Sequence, residues 1–381
     1  MPTLKALQPL PPGSTIGILG GGQLGRMLAL AASRLGFKSH IYSDDPDSPA
    51  FEVTSRATHG AYGDLPHLET FARQVDVVTY EFENVPVEAA RHLDRLVPVR
   101  PGARALEVAQ DRLVEKQFIA DLGIAVAPFA EVSHRRDLMA AMARFKAPAI
   151  LKTRRLGYDG KGQVSLTPQA DAAAAVATLG HRAAILEQRV VFDFETSVLV
   201  VRGLDGGVAF YDCPANSHAD GILRRSVVPS ALPPAAVAQA RDMASRIAAA
   251  LEYVGVLAVE MFYSGKGAGP ALVVNEIAPR VHNSGHWTIE GAACSQFENH
   301  VRAVCGLPLG GTAAVGHSAM FNLIGHRPDF AEVLKRPGAH LHWYGKEPKP
   351  LRKVGHVTLT APTAADRDAR AAELAHRLAR G

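Results

Sequence analysis

The stretch Gly157-Tyr158-Asp159-Gly160-Lys161-Gly162-Gln163 lies between two short apolar runs, at residues 149–151 and 164–166. Short apolar runs on both sides of a glycine-rich segment predict two strands joined by a hairpin turn. A Walker-type phosphate loop must open a helix, so this setting excludes one. Three glycines let the backbone approach a phosphate chain closely, and Lys152 and Lys161 add compact positive charges. The stretch therefore predicts either a phosphate-binding hairpin or a flexible surface turn.

Two glutamates farther along the chain, Glu260 and Glu276, lie equally far from residue 268, near the centre of a predicted turn. The turn joins apolar runs at residues 254–262 and 272–277, which predicts a second hairpin. With a symmetric register the two carboxylates face each other, and opposed like charges destabilise a sheet unless a cation lies between them. Carboxylate and phosphate oxygens are the usual ligands of Mg²⁺. The pair predicts a magnesium site, with two solvated surface acids as the alternative; a bulge would change the register.

Polar and cationic side chains crowd the segment Asn275-Glu276-Ile277-Ala278-Pro279-Arg280-Val281-His282-Asn283-Ser284-Gly285-His286, which begins at the second glutamate. Such a density of hydrogen-bonding groups suits stabilisation of the charge on a transferred phosphoryl or carboxylate group. A polar turn that only caps the local backbone is the alternative.

The chain as a whole predicts a globular protein with α/β and α+β parts. At 381 residues, with 47% apolar and 20% charged residues, it exceeds what one core usually serves, so two or three subdomains are expected. Alternating apolar and amphipathic stretches from Thr15 predict a parallel βαβ sheet that ends near Arg100-Pro101-Gly102. Further helices are expected over residues 105–122, from Pro233 to about Leu251, and from Ala364.

The middle of the chain changes character and predicts a small α+β unit. Its expected strands lie at residues 149–151, 164–166, 184–186 and 196–201, around one helix near residues 170–179. The last part predicts strands near residues 341–344 and 354–359. The domains that we predict are a tail at residues 1–13, an N-terminal domain at 14–110, a small central one at 111–205 and a C-terminal one at 206–381.

A second glycine cluster, Gly20-Gly21-Gly22-Gln23-Leu24-Gly25, matches the GxGxxG pattern between a predicted strand and helix, and Asp44 ends the next strand. Taken alone, this cluster fits a dinucleotide fold and hence an NAD-dependent oxidoreductase. Any such strand-to-helix turn favours an anion, however. The oxidoreductase hypothesis also leaves the hairpin loop and the glutamate pair without a purpose.

Charge and cysteine content exclude several classes of protein. The formal charge of +4 is mild, and the Lys and Arg residues are scattered, so no nucleic-acid partner is expected. Cys213, Cys294 and Cys305 are odd in number and lack metal-ligand spacing, which favours a reduced cytoplasmic compartment. No run of eighteen apolar residues and no signal-peptide pattern occurs, so no membrane span is expected.

Taken in order, these motifs resemble the ATP-grasp superfamily and, within it, the N5-carboxyaminoimidazole ribonucleotide synthetases of purine biosynthesis. The resemblance spans about residues 15–359 and rests on YEFENVP at 80–86, QDR at 110–112, GYDGKGQ at 157–163, NEIAPRVHNSGHW at 275–287 and RKVGH at 352–356. It implies an ATP-grasp fold with an N-terminal Rossmann-like domain, a small central subdomain and a larger C-terminal one. ATP would lie in the cleft between the last two, and a homodimer is implied.

The resemblance also implies roles for particular residues. The ATP contacts implied are Arg112, Lys152, Gly157, Tyr158, Asp159, Gly160, Lys161, Gly162, Gln163, Glu187, Gln188, Arg189, Val190, Glu195, His218, Asn275 and Glu276. Glu260 and Glu276 would ligate Mg²⁺. The ribonucleotide would contact Gln23, Leu24, Glu81, Asn84, Tyr158, Asp159, Lys346 and Arg352. Arg280, His282, Asn283 and Lys353 are the candidates for holding bicarbonate and its mixed anhydride with phosphate.

The reaction implied is the ATP-driven carboxylation of aminoimidazole ribonucleotide by bicarbonate, through carboxyphosphate. Phosphoryl transfer asks mainly for positioning and charge neutralisation, which Lys, Arg and Mg²⁺ supply. A formate-dependent glycinamide ribonucleotide transformylase is the nearest alternative, and a nucleotide-binding regulatory module without turnover is a third hypothesis. The chain departs from the family at Ala215, where a glutamate is more usual, which leaves the role of His218 open.

Overall fold

The computed structural model of this chain describes residues 8–157, 162–167, 172–180, 182–265, 269 and 271–378. Strands in these residues form three sheets, two with four strands and one with nine. Four residues of the predicted phosphate loop, Tyr158, Asp159, Gly160 and Lys161, lie outside the described residues, as do residues 1–7 of the predicted tail.

The first sheet is parallel, as the βαβ pattern predicts. Its strands are β1 (Thr15–Leu19), β2 (Lys38–Ser43), β3 (Arg56–His59) and β4 (Val77–Tyr80), and the helices of this part are α1 (Gln23–Arg34), α2 (Leu65–Ala72), α3 (Val87–Asp94) and α4 (Ala103–Ala109). The strand order is β3-β2-β1-β4. Sequence reasoning missed β3 because this short edge strand is largely exposed and carries no apolar run.

The stretch predicted to be helical over residues 105–122 is helical, but the structure divides it into two helices. Helix α4 ends at Ala109, and a new helix, α5 (Arg112–Asp121), begins two residues after Gln110. Asp111 has extended backbone angles, and its carboxylate accepts a hydrogen bond from the Leu113 N–H. An aspartate in this position caps a new helix and ends the preceding one, because its backbone leaves the helical region.

The second sheet is small and antiparallel. Its strands are β5 (Phe129–Val132), β6 (Ala149–Thr153), β7 (Gln163–Leu166) and β8 (Ala184–Gln188), and its helices are α6 (Arg135–Phe145) and α7 (Ala172–Thr178). The predicted hairpin is confirmed, because β6 pairs with β7 and Lys152 faces Gln163 across the ladder. The prediction of one helix is wrong, since the described residues contain two.

The third sheet is large and antiparallel. Its strands are β9 (Phe194–Arg202), β10 (Val208–Phe210), β11 (Ala215–Ala219), β12 (Ile222–Val228), β13 (Gly255–Tyr263), β14 (Leu272–Ala278), β15 (His317–Ile324), β16 (Ala339–Trp343) and β17 (Lys353–Ala361). Its helices are α8 (Pro234–Ala250), α9 (Thr288–Gly291), α10 (Gln296–Val304), α11 (Phe330–Leu334) and α12 (Ala364–Leu378). The order is β14-β13-β9-β11-β12-β15-β17-β16, and β10 pairs with β9. The strand predicted at residues 196–201 for the small unit is β9, and it belongs to this large sheet instead.

The central strands of the large sheet are buried on both faces, which fixes how the sheet meets its neighbours. Successive residues of a strand point to opposite faces. Val200 and Leu257 therefore join one core with Ile247 of α8. Leu199 and Val256 join the opposite core. That second core also contains residues of α1 and α10, so the first unit packs against the large sheet.

No helix in the described part of the chain is long and apolar enough to cross a membrane.

Replacing Leu257 by Ala should lower the free energy of unfolding by about 2–5 kcal/mol, because the side chain is fully buried and its loss leaves a cavity. Leu30→Ala is the matched control, since Leu30 is 47% exposed on α1 and should change stability by no more than about 0.5 kcal/mol. Thermal unfolding of both variants checks this. Equal destabilisation would contradict the placement of the core.

Candidate active site

A cavity of about 690 Å³ lies where the three sheets meet. The small sheet contributes Lys152, the edge of the large sheet contributes Glu260 and Glu276, and the loop after β4 contributes Glu81 and Asn84. The predicted site residues in its wall are Gln23, Leu24, Glu81, Asn84, Arg112, Lys152, Gly157, Gln163, Glu195, His218, Glu260, Asn275, Glu276, Arg280, His282, Asn283, Lys346 and Lys353. The structure therefore brings residues from distant parts of the sequence to one place.

Some predicted residues do not line this cavity: Gly162, Glu187, Gln188, Arg189, Val190 and Arg352. The N–H groups of Gln188 and Arg189 already donate to Pro128 O and Pro148 O, each at 2.8 Å. If the adenine base of ATP lies near this strand end, as the resemblance implies, it would have to bond to groups other than these two N–H groups. Arg352 donates to the Glu347 carbonyl, and its charge acts on nearby Lys346.

Glu260 and Glu276 face each other across β13 and β14, which confirms the predicted register. A bulge occurs here, but it begins only after this pair, where Met261 faces Val274 and Asn275 is the extra residue. Glu276 Oε2 accepts a hydrogen bond from Arg112 Nη1 at 2.7 Å. Burial raises the pKa of Glu276, but Arg112, together with the charges of Lys152 and Lys116, lowers it overall to about 2. This carboxylate is therefore ionised at neutral pH.

The oxygen atoms beside this pair fit the Mg²⁺ that the resemblance implies. Asn275 Oδ1 is buried and has no hydrogen-bond partner among the described residues. Within those residues, no three His, Cys, Asp or Glu side chains group into a metal cage. Mg²⁺ is usually held by one or two carboxylates together with substrate phosphates and waters. Two carboxylates and an amide oxygen on one cavity wall match that pattern.

The other side of the cavity carries a buried chain of charges. Glu187 Oε2 lies 3.1 Å from Lys152 Nζ and 3.2 Å from Lys116 Nζ. Burial raises the pKa of Glu187, but these two ammonium groups lower it overall. Burial likewise lowers the pKa of Lys152, and Glu187 opposes that effect. Glu187 thus forms an ion pair with Lys152 outside the cavity wall, while Lys152 itself lines the cavity.

Sequence reasoning missed two residues of α5, Glu115 and Lys116. Both are buried, at 2% and 1% exposure. Burial, together with the negative charge of Glu276, raises the pKa of Glu115 to about 8. A signal did exist, since Lys116 follows Arg112 by four residues and such spacing places two side chains on one helix face.

The loop after β14 presents Arg280, His282 and Asn283 together. Arg280 Nε donates to Glu83 Oε2 at 2.5 Å, a partner that sequence reasoning did not single out. Burial raises the pKa of Glu83, but the Arg280 charge lowers it overall, so the pair is ionic. Both amide atoms of Asn283 are buried without a partner among the described residues. Buried amides rarely stay unbonded, so this one suits a ligand.

The orientation of His282 follows from its hydrogen bonds. Its Nδ1 accepts a hydrogen bond from the Ser284 N–H at 3.3 Å. An accepting Nδ1 places the ring proton of a neutral imidazole on Nε2. Nε2 lies 3.1 Å from Glu260 Oε1. His282 Nε2 is therefore directed at one carboxylate of the pair, while Arg112 donates to the other.

The backbone N–H groups of the Gly20–Gly25 turn bind the carboxylate of Glu81, a residue of the same chain. Glu81 accepts hydrogen bonds from the N–H groups of Gly22 at 2.7 Å and Gly25 at 2.9 Å. A Cβ at Gly22 would lie 2.6 Å from Glu81 Oε1, so any larger residue there would displace this carboxylate from the turn. The N-terminus of α1 is the place where a dinucleotide phosphate would bind. Because Glu81 fills it, the geometry does not support the NAD hypothesis.

The cavity also has an aromatic wall that the sequence did not reveal. Phe192 and Phe262 stack with ring centroids 4.7 Å apart and an interplanar angle of 15°. Ile150 and Leu223 line the same cavity. Such a flat apolar surface suits a planar base. Phe192 lies just before β9, where no periodic pattern marks it.

His218 and Glu195 form an ion pair at the cavity wall, with Nδ1 and Oε2 2.8 Å apart. Burial lowers the pKa of His218, but the Glu195 carboxylate outweighs it and raises the pKa overall. Ala215 lies in β11 opposite Thr196 and is not part of the cavity wall. His218 thus keeps a place in the wall although the usual glutamate is missing.

Family models match the three parts of this fold. A ribonucleotide synthetase preATP-grasp domain matches residues 14–110, an ATP-grasp domain matches residues 117–297, and a phosphoribosylaminoimidazole carboxylase C-terminal domain matches residues 318–370. Together with the two sheets that enclose the cavity, these matches define an ATP-grasp protein, and the predicted fold class is confirmed.

Individual relatives narrow the class. The chain is 51% identical over 359 residues to the N5-carboxyaminoimidazole ribonucleotide synthase of Pseudomonas aeruginosa, covering 94% of this chain and 98% of the relative. The synthetase structure from Thermus thermophilus is 51% identical with a TM-score of 0.90, covering 95% and 98%. The Aspergillus clavatus enzyme, solved with ADP and 5-aminoimidazole ribonucleotide, is 31% identical with a TM-score of 0.90, covering 97% and 100%. This chain belongs to the N5-carboxyaminoimidazole ribonucleotide synthetase family.

Titration with NADH should show no binding at micromolar concentrations. Glu81 occupies the N–H groups that would hold the pyrophosphate, and its negative charge would repel one. Fluorescence of the reduced nicotinamide ring measures this directly, with MgADP as a competitor to identify the site. Saturable micromolar binding of NADH that MgADP leaves unchanged would contradict this assignment of the glycine turn.

Proposed function

We propose that this protein catalyses the ATP- and bicarbonate-dependent carboxylation of 5-aminoimidazole ribonucleotide to N5-carboxyaminoimidazole ribonucleotide, a step of de novo purine synthesis. The observation that carries the proposal is the single cavity that joins the Glu260–Glu276 pair, the Arg280–Asn283 loop and the Glu81 turn. ATP, bicarbonate and a ribonucleotide can meet only where all three regions are adjacent. The Aspergillus clavatus relative, whose structure contains ADP and the ribonucleotide, supports the choice of acceptor.

ATP would lie between the small sheet and β13. Phe192 and Phe262 offer the stacked face for the adenine, as Ile150 does from the opposite sheet. Lys152 and Arg112 line the cavity near Glu276 and supply positive charge for the phosphates. Of the predicted loop, Gly157 and Gln163 reach the cavity, while the contacts of residues 158–161 stay a prediction. Glu195 lines the same cavity and would accept from a ribose hydroxyl.

Glu260 and Glu276 would hold Mg²⁺, with Asn275 Oδ1 nearby. When bound, Mg²⁺ neutralises phosphate charge and orients the γ-phosphoryl group. Arg112 donates to Glu276, and His282 Nε2 lies 3.1 Å from Glu260 Oε1, so each carboxylate already has a partner that limits its movement.

In the first chemical step, a bicarbonate oxygen would attack the γ-phosphorus as the bond to the ADP oxygen breaks, giving carboxyphosphate and ADP. The hydrogen bond from Arg280 to Glu83 fixes the orientation of the guanidinium, so that Arg280 would be preorganised to bind an anion. Asn283 offers an unbonded amide N–H to a carboxylate oxygen. Lys353 lines the same wall and adds a positive charge. Such preorganised donors stabilise the charge of the transferred group.

In the second step, the carboxyl group would pass to the exocyclic amine of the ribonucleotide and phosphate would leave. Gln23, Leu24, Glu81 and Asn84 line the adjoining part of the cavity. Lys346 donates to Gln23 and lies close to Arg352, so the two cations would grip the phosphate monoester. Contacts from Tyr158 and Asp159 stay predictions, since both lie outside the described residues.

We also propose that the protein acts as a homodimer in the cytoplasm, as the family resemblance implies. The boundaries at residues 13, 110 and 205 stay predictions. A formate-dependent glycinamide ribonucleotide transformylase remains the alternative, because it too would activate a one-carbon acid in an ATP-grasp cleft.

Purified protein with Mg²⁺ should hydrolyse ATP rapidly only when both 5-aminoimidazole ribonucleotide and bicarbonate are present. Release of ADP measures this, and degassed buffer without bicarbonate is the control. Hydrolysis driven by formate and glycinamide ribonucleotide would instead identify the alternative reaction.

Replacing Glu276 by Ala should lower turnover by at least about a hundredfold, because one magnesium ligand is lost and Arg112 is left unpaired. Glu88→Ala is the control, since Glu88 is an exposed glutamate whose side chain is 77% accessible. Steady-state kinetics at saturating ATP and Mg²⁺ make the comparison. Near-normal turnover of Glu276→Ala would mean that the pair is only surface charge.

A further inference from the structure

Lys116 is a buried lysine that no contact with the cavity explains. Its side chain is 1% exposed, and it is not part of the cavity wall. Burying an ammonium group is costly unless it is paired and hydrogen-bonded. Its Nζ donates to Asn275 O at 2.6 Å and lies 3.2 Å from Glu187 Oε2. Both contacts connect Lys116 to the candidate active site: Asn275 lines the cavity, and Glu187 is paired with Lys152, which also lines it.

Its neighbour Glu115 makes a second contact of the same kind. Glu115 Oε1 accepts a hydrogen bond from the Ile277 N–H at 2.7 Å. Both helix residues therefore bond to backbone groups of β14, on either side of Glu276. Since β14 is the edge strand of the large sheet, its outer N–H and C=O groups need partners from elsewhere.

The bulge makes these two contacts important. The ladder with β13 shifts by one residue at Asn275, so the strand loses its regular support at the residue just before Glu276. Lys116 bonds the carbonyl of the extra residue, and Glu115 bonds the next N–H beyond Glu276. The two hydrogen bonds hold the backbone on both sides of the metal-facing carboxylate.

The same helix is tied to the other wall of the cleft. Lys116 of α5 and Lys152 of the small sheet both pair with the same carboxylate, that of Glu187. Arg112 reaches Glu276 with Nη1 and Gly157 O with Nη2, at 2.7 and 3.3 Å. Helix α5 therefore contacts both sheets at the level where the phosphates would lie.

We propose that Glu115 and Lys116 are positioning residues: through hydrogen bonds to the bulged backbone of β14, they hold Asn275 and Glu276 in the geometry that binds Mg²⁺–nucleotide. Neither side chain lines the cavity in which the nucleotide would lie. The proposal rests on the proposed nucleotide and magnesium site, but it does not depend on the acceptor substrate.

Glu115 provides a matched pair of variants. Glu115→Gln keeps an oxygen that can accept from the Ile277 N–H, whereas Glu115→Met has similar length and no such acceptor. We expect Glu115→Gln to bind MgADP within about threefold of the wild type. Glu115→Met should bind MgADP about tenfold or more weakly, in the range found when groups that orient metal ligands are removed.

Lys116→Met tests the other hydrogen bond, with Lys335→Met as the control because Lys335 is an exposed lysine whose side chain is 68% accessible. Calorimetric titration of the full-length protein with ADP, at a series of Mg²⁺ concentrations and without Mg²⁺, gives the readout. Lys116→Met should require a higher Mg²⁺ concentration for half-maximal binding, while Mg²⁺-free ADP binding changes less. A loss of stability alone would not separate the two conditions in this way.

Wild-type Mg²⁺ dependence in folded Glu115→Met would overturn the proposal. So would equal losses in Glu115→Gln and Glu115→Met, since these would point to the charge and not to the hydrogen bond. If Lys116→Met does not fold, comparison of the variants Glu115→Gln and Glu115→Met still tests the proposal. Failure of aminoimidazole ribonucleotide to stimulate ATP hydrolysis would affect only the proposed function, because the titration contains no acceptor substrate.

Discussion

Two carboxylates that face each other across neighbouring strands are the constraint around which this molecule is organised. Glu260 and Glu276 are opposed in the ladder, and like charges in that position repel. Each carboxylate has a partner of its own that weakens this repulsion: the His282 ring lies beside Glu260, and the Arg112 guanidinium bonds Glu276. These partners come from a loop of the large sheet and from α5. The folding of both regions thus brings the partners that make the pair tolerable: a guanidinium for Glu276 and an imidazole for Glu260.

The same constraint explains how burial can act in opposite directions on two neighbouring acids. Burial raises the pKa of both Glu115 and Glu276. Arg112 and the neighbouring lysines nevertheless lower the pKa of Glu276 to about 2, whereas Glu276 itself helps to raise that of Glu115 to about 8. One acid is thus kept charged toward the cavity, and the other is pushed toward its neutral form behind it. Opposite protonation of adjacent carboxyl groups avoids a second buried repulsion.

Sequence reasoning succeeded where the signal was local. The loop of the first hairpin follows from glycines between apolar runs, and the register of Glu260 with Glu276 follows from a short turn and period-two strands. It failed where tertiary contacts decide. Helix α5 was merged with α4 because an aspartate cap is a subtle break. Lys116 and Phe192 were missed because their importance comes from partners more than 60 residues away, at Asn275 and Phe262.

The most direct test is a crystal structure of the protein with Mg²⁺ and a non-hydrolysable ATP analogue. We expect one carboxylate oxygen of Glu260 and one of Glu276 at about 2.0–2.1 Å from an ion that also binds the phosphates. We also expect the adenine ring to lie against Phe192 and Phe262. An ion with neither carboxylate among its ligands, or a nucleotide outside this cavity, would contradict the account.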